Sequence, residues 1–186
     1  MSDSTAKNNV RIPIVEFLNK IIVNVVETVA WLNVVLILVV LLQVIMRYGF
    51  NRGQVPLEEL MWHLYAVVFM FGMAYAITNN SHIRVDIIHM RLPERTKHIF
   101  EILGILFLLL PTILVVLYHS VDWVAEAYRV GESSENPTGL PFRWAIKAVL
   151  PSSMTLMLIA STSRLIEEFI ILLRIIKKEP ADHNSG

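Results

Sequence analysis

Residues 29–46 form a run of eighteen without a charged side chain, and Arg47 closes it. At about 1.5 Å per residue such a helix is about 27 Å long, close to the ~30 Å hydrocarbon core of a bilayer. Three further apolar stretches follow, over residues 60–77, 99–118 and about 148–170. This repetition restricts the chain to one class of fold. The expected fold is all-α: an integral membrane four-helix bundle with an amphipathic N-terminal interfacial helix. A cleaved leader is the rival reading of the first run. That run is longer than the usual apolar region of a signal peptide and no small-x-small site follows it, so it is expected to stay in the mature protein.

Composition agrees. The 186 residues are 55% hydrophobic, and 16 basic residues cancel 16 acidic ones. Mean hydropathy is +0.57. The length suits a single membrane domain over 1–186. With no cysteine there is neither a disulfide framework nor thiol redox chemistry. Neutral net charge gives no reason to expect nucleic acid as a partner.

Ahead of the first span, Glu16, Lys20, Asn24 and Glu27 recur at helical spacing opposite Ile14, Val15, Phe17, Leu18, Ile21, Ile22, Val25 and Val26, behind a helix-starting Pro13. Pro111 interrupts the third span, where a kink is expected, with Thr112 available to a freed carbonyl. Residues 131–141, GESSENPTGLP, are turn chemistry and are expected to be exposed. Lys and Arg are unevenly shared. Ten lie in the two tails and the 78–98 connection, and five flank the connections 47–59 and 119–147. The positive-inside rule therefore predicts both termini and loop 78–98 on the cytoplasmic side, and the other two loops on the periplasmic side.

Several side chains invite a specific reading. Glu58 and Glu59 stand in the first turn of the second helix, where acids complement the dipole. Arg47 and Arg52 suit interface anchors or partners for another subunit. Gly72 and Ala76 form a small-xxx-small pair, and residues 160–163 are small as well, so both patches are expected at helix contacts. His82, Arg84 and Asp86 fit a capped turn. Arg164, Glu167 and Glu168 fall at i, i+3 and i+4, either as an intrahelical set at the interface or as a buried pair with another subunit. Two rival functions stay visible: a b-type cytochrome subunit holding haem between His63 and His119, and a small proton-coupled exporter using Glu27. Four helices without an internal repeat make a poor autonomous carrier, since secondary transporters bind substrate between repeats.

The order Arg47-Tyr48-Gly49-Phe50-Asn51, Glu58-Glu59-Leu60, Gly72 with Ala74 and Ala76, then His82-Ile83-Arg84-Val85-Asp86 and Arg91-Leu92-Pro93 resembles the DctQ family. This is the small membrane subunit of tripartite ATP-independent periplasmic (TRAP) transporters. The likeness is closest over residues 34–110 and looser at Leu140-Pro141 and Ala148-Val149-Leu150-Pro151. Two departures stand out. Pro56-Leu57 occupy the place of a tryptophan before the acidic pair, with Trp62 after it, and Ser81-His82 replace a Gly-His turn. The resemblance implies a non-enzymatic scaffold, without cofactor or metal, in the bacterial inner membrane. Its partners would be a large multi-helix permease, a periplasmic substrate-binding protein and the lipid bilayer, and the system would import an organic acid with sodium. On that reading Arg47, Arg52, Glu58, Glu59, Trp62, Gly72, Ala76, His82, Arg84, Asp86, Arg164, Glu167 and Glu168 are the candidates for subunit contact.

Overall fold

The structure, a computed structural model, describes residues 12–78 and 93–182, and the regular elements in them are all helical. Helix α1 spans Pro13–Ala30 and α2 spans Leu32–Val44, with a break at Trp31 between them. A π-helical turn, Ile45–Gly49, ends this rod. Helix α3 covers Val55–Thr78. Helix α4, Glu94–Gly104, passes through a second π-helical turn, Ile105–Leu109, into α5, Leu110–Arg129. A short α6, Arg143–Lys147, leads into α7, Val149–Asp182. The rods 13–49, 55–78 and 94–129 are long and apolar enough to cross a membrane by length and composition.

Helix α7 is the inner element, packed against α1, α3, α4 and α5. Its sequence explains the position. Ser153, Leu156, Ala160, Ser163 and Arg164 repeat at i+3 and i+4, and all are buried. Small side chains there let neighbouring backbones come close. Their hydroxyls are satisfied locally: Ser153 Oγ donates to the Leu150 carbonyl at 2.9 Å and Ser161 Oγ to that of Met157 at 2.7 Å. Pro151 is the third residue of the helix, where its missing N–H breaks no internal bond.

The core joins Ile22 of α1, Ala74 and Ile77 of α3, and Leu156 and Ala160 of α7. Helix α1 is amphipathic, with Glu16, Lys20, Asn24 and Glu27 exposed. Its opposite face is taken into the bundle through Val15 and Ile22, and Ser163 Oγ of α7 donates to Asn19 Oδ1 at 3.0 Å. By contrast α2 buries one residue, Gln43, and exposes Val34, Ile37, Leu38, Leu41 and Leu42. Phe107, Leu108, Leu114 and Val115 do the same on the α4–α5 rod. Continuous outward rows of this kind belong in lipid or against another protein, not in water.

Two expectations are refined. At Pro111 the helix continues, and the accommodation is the wide turn Ile105–Leu109 just before it. Thr112 Oγ1 donates to the Leu108 carbonyl at 2.6 Å, one residue on from the carbonyl that the proline frees. Gly72 is not a close-approach position within this chain: a Cβ there would meet nothing within 4 Å. The buried residues of α3 are instead Ala74 and Ile77. The 160–163 patch does pack inward, with Ala160, Ser161 and Ser163 all buried.

Candidate functional site

Among the described residues, charged side chains gather at two places, one at the loop end of the bundle and one deep along α7. The loop end begins where α5 stops. Gly131, at φ +61°, gives the left-handed residue that a Schellman ending needs. Gly131 N–H donates to the Tyr128 carbonyl at 3.2 Å and Glu132 N–H to that of Ala127 at 2.9 Å. The chain then folds over the start of α3, where Glu59 receives it. Glu59 Oε1 accepts from the Ser134 hydroxyl and from Asn136 Nδ2 at 2.9 Å, and Oε2 accepts from the Leu140 N–H at 2.7 Å. Ser134 N–H returns a bond to the Leu140 carbonyl at 3.2 Å. A single carboxylate thus closes residues 134–140 into a ring of donors. Gly139 is required inside it, because a Cβ would fall on the Ser134 side chain and within 2.7 Å of Glu59 Oε1.

Glu59 stands ahead of the apolar stretch 60–77. Its carboxyl is held down to about 2, first by the Ser134 hydroxyl, then by the Asn136 amide and the Leu140 N–H. Hydrogen bonds to the ionised form favour that form. Partial burial opposes the shift, and the nearby His63 adds to it.

Beyond the ring, Lys147 pairs with Glu132 and lies 4.4 Å from the centroid of the Trp123 ring. Arg143 approaches Glu132 at 3.8 Å and Glu135 at 3.3 Å. Tyr128 meets Trp144 edge-to-face at 5.4 Å. Below these groups opens a cavity of about 550 Å³ between α3, α5 and the start of α7, whose lining includes Trp62, Ala66, Met70, Trp123 and Leu150.

The second cluster is buried. Arg164 pairs with Glu168 through NH2 and with Glu167 through NH1 at 2.9 Å. The other oxygen of Glu168 meets His98 Nδ1, carried by α4. Arg164 is 8% exposed and Glu168 2%. Arg164 Nε finds no partner among the described residues.

The sequence-derived candidates therefore divide. Glu59 and Trp62 share the loop-end cavity with His63. Glu58, on the adjoining position, is exposed. Arg47 and Arg52 are exposed at the same end, Arg47 in the π-helical turn and Arg52 beyond it. Gly72 and Ala76 are partly exposed on α3. Arg164 and Glu168 form the buried set with the half-buried Glu167, and it takes in a histidine from another helix. His82, Arg84 and Asp86 lie outside the described residues. Of the alternatives, His63 lines the cavity while His119 is exposed beside Tyr118 and does not line it. Glu27 is exposed.

Sequence reasoning missed His98, which falls in the expected 78–98 connection, although Pro93 followed by Glu94 is a readable helix start. It also missed the ring partners of Glu59. The available signal was a short loop rich in donors, Ser134, Asn136 and free backbone N–H groups, with an anion needed to bind them.

Residues 36–170 match the family described as "Tripartite ATP-independent periplasmic transporters, DctQ component". A Haemophilus influenzae protein whose name proposes it as a TRAP transporter small permease protein is 25% identical over 126 residues, which is 67% of this chain and 78% of that protein. The matched stretch runs from within α2 to beyond Glu168 and holds both the Glu59 ring and the buried Arg164 cluster, and the chain belongs to the DctQ family of TRAP transporters.

Proposed function

We propose that this chain is the small permease subunit of a secondary-active TRAP importer and acts there as a membrane scaffold. The observation that carries the reading is how α7 spends its polar side chains. The inner helix of an autonomous carrier would present them to a pathway. In α7, Ser153 and Ser161 bond to their own helix, Ser163 to Asn19, and Arg164 to Glu167 and Glu168. The centre of the bundle is a packing core.

The large permease would then hold the transport path and lean on the apolar outer faces. Gly72 and Ala76, with open space beside Gly72, are available to a helix from another subunit. The excess of Lys and Arg in the tails and the 78–98 connection supports a multi-pass arrangement in the bacterial inner membrane with cytoplasmic termini. The ring at 134–140 would face the periplasm, where its rigid, charged surface suits docking of a substrate-binding protein. On the family resemblance the cargo is an organic acid and the coupling ion sodium.

The test is co-purification. With the carboxyl terminus tagged and native membranes solubilised mildly, a large multi-helix permease is expected to accompany the chain in equal amount. Recovery of the chain alone, a haem absorption band in the preparation, or solute uptake by the chain alone in liposomes would each overturn the scaffold reading.

A further inference from the structure

The cavity under the Glu59 ring is amphiphilic along its length. At its upper end are Glu135, Arg143 and Lys147, and at its lower end Ala66, Met70 and Leu150. From Glu59 to Met70 the wall follows eleven residues of α3, about 16 Å at 1.5 Å each. Half of a ~30 Å hydrocarbon core is about 15 Å. The slot thus runs from a charged rim to the bilayer midplane, the depth of one lipid leaflet. Trp62 and Trp123 stand along it, a residue type favoured where hydrocarbon meets headgroups.

The rim also limits which headgroup fits. Lys147 is engaged by Glu132 and by the face of Trp123. Arg143 is less committed: it stands 3.8 Å from Glu132, and its contact with Glu135 is 3.3 Å long with the Glu135 side chain 91% exposed. Such a pair contributes little by itself. A phosphate would accept hydrogen bonds from the guanidinium in place of Glu135. That exchange frees the Glu135 carboxylate, which would take a cation carried by the same molecule. An anionic headgroup would satisfy Arg143 and leave Glu135 unpaired beside added negative charge.

We propose that this slot holds one phospholipid whose headgroup carries both a phosphate and a primary ammonium, with an acyl chain lying along Ala66, Met70 and Leu150. The site depends only on the chain lying in a bilayer, and it goes beyond the scaffold role.

The test uses the full chain purified from detergent and incubated with equal amounts of phosphatidylethanolamine and phosphatidylglycerol. Lipid retained after exchange is counted by native mass spectrometry. One phosphatidylethanolamine per chain is expected, at least fivefold over phosphatidylglycerol. Ala66→Phe, which fills the slot, should reduce retention at least tenfold, and Arg143→Gln several-fold, while Arg47→Gln leaves it unchanged. Circular dichroism and thermal unfolding check that Ala66→Phe still folds. Independently of any filling variant, a benzophenone amino acid at position 62 should crosslink to phosphatidylethanolamine. Equal retention of the two lipids would overturn the headgroup assignment. Unchanged retention by a folded Ala66→Phe variant would overturn the site. If the position-62 crosslink in native membranes goes to a polypeptide in place of lipid, the slot belongs to a partner. The retention assay reads the chain alone, so its failure is distinct from failure of co-purification.

Discussion

Glu59 and Glu168 each tie two distant parts of this chain together, from opposite surroundings. Glu59 holds a loop more than seventy positions away by accepting three hydrogen bonds at the mouth of the bundle. Glu168 joins α7 to α4 through His98 while pairing with Arg164, and it is 2% exposed. Water and salt share the charge at the first site and weaken what any one contact contributes. At the second, each charge depends on its partner, since an ion stranded in an apolar interior is costly. Similar chemistry therefore shapes a surface in one place and binds the helices in the other.

The sharpest way to break this comparison is to strand a charge. Arg164→Met takes the guanidinium from the buried Glu168, which keeps His98 beside it among the described residues, and removing one partner of a buried pair costs about 3–5 kcal/mol. Thermal unfolding in detergent should show the loss. Arg164→Met combined with Glu168→Leu should recover most of it, because replacing both members by apolar groups is often close to neutral. A single variant that loses less than about 1 kcal/mol would mean that water reaches the cluster, and the contrast with Glu59 would fail.

The helices were legible because their signals are local. The four apolar stretches, 29–46, 60–77, 99–118 and 148–170, lie almost wholly in helices, and the first three belong to rods long and apolar enough to cross a membrane, for which an apolar run has few other solutions. The charge of α7 was half legible. Ser153, Leu156, Ala160 and Ser163 mark the buried stripe, and Arg164 and Glu168 prolong it, so the pattern carried the answer once the inner face was known. The partner on α4 was not visible, because pairing across seventy residues leaves no periodicity. Glu59 is the clearest gap: next to Glu58, and equally suited to a helix start, it differs only in facing the 134–140 loop. Gly139 likewise reads as an ordinary turn glycine, and its necessity comes from a side chain that folding brings beside it.

Gly139→Ala tests whether the loop end has a defined shape at all. The added methyl has no room beside Ser134, and overpacking of this kind costs about 1–3 kcal/mol. The damage should stay local, as faster proteolysis and hydrogen exchange over residues 131–141 with the unfolding of the bundle little changed. Gly53→Ala, at a position with nothing within 4 Å of the new Cβ, is the matched control and should leave both readings alone. Equal sensitivity at the two glycines would reduce the ring to a loose turn.

The smallest effect is expected from pH, at the half-buried Glu59 carboxylate itself. In the folded chain the Glu59 carboxyl lies near 2, below its ordinary value of 4.5. A depressed value means that the ring is fully stabilised above pH 4.5 and loses that contribution as pH falls towards 2. Hydrogen exchange of the Leu140 amide, corrected for its intrinsic rate, should show protection that is flat from pH 7 to about 5 and then declines. Glu59→Gln keeps one acceptor oxygen and carries no charge, so its protection should start lower and stay level through the same range. Added salt should shrink the difference between the two proteins, since the site is open to water. If Glu59→Gln declines with acid as steeply as the wild type, the Glu59 carboxyl is not the source of the decline, which leaves the ion pairs of Glu132 with Lys147 and Arg143 at the same end. The loop would then be held chiefly by those ion pairs, and Glu59 would be one acceptor among several in place of its organiser.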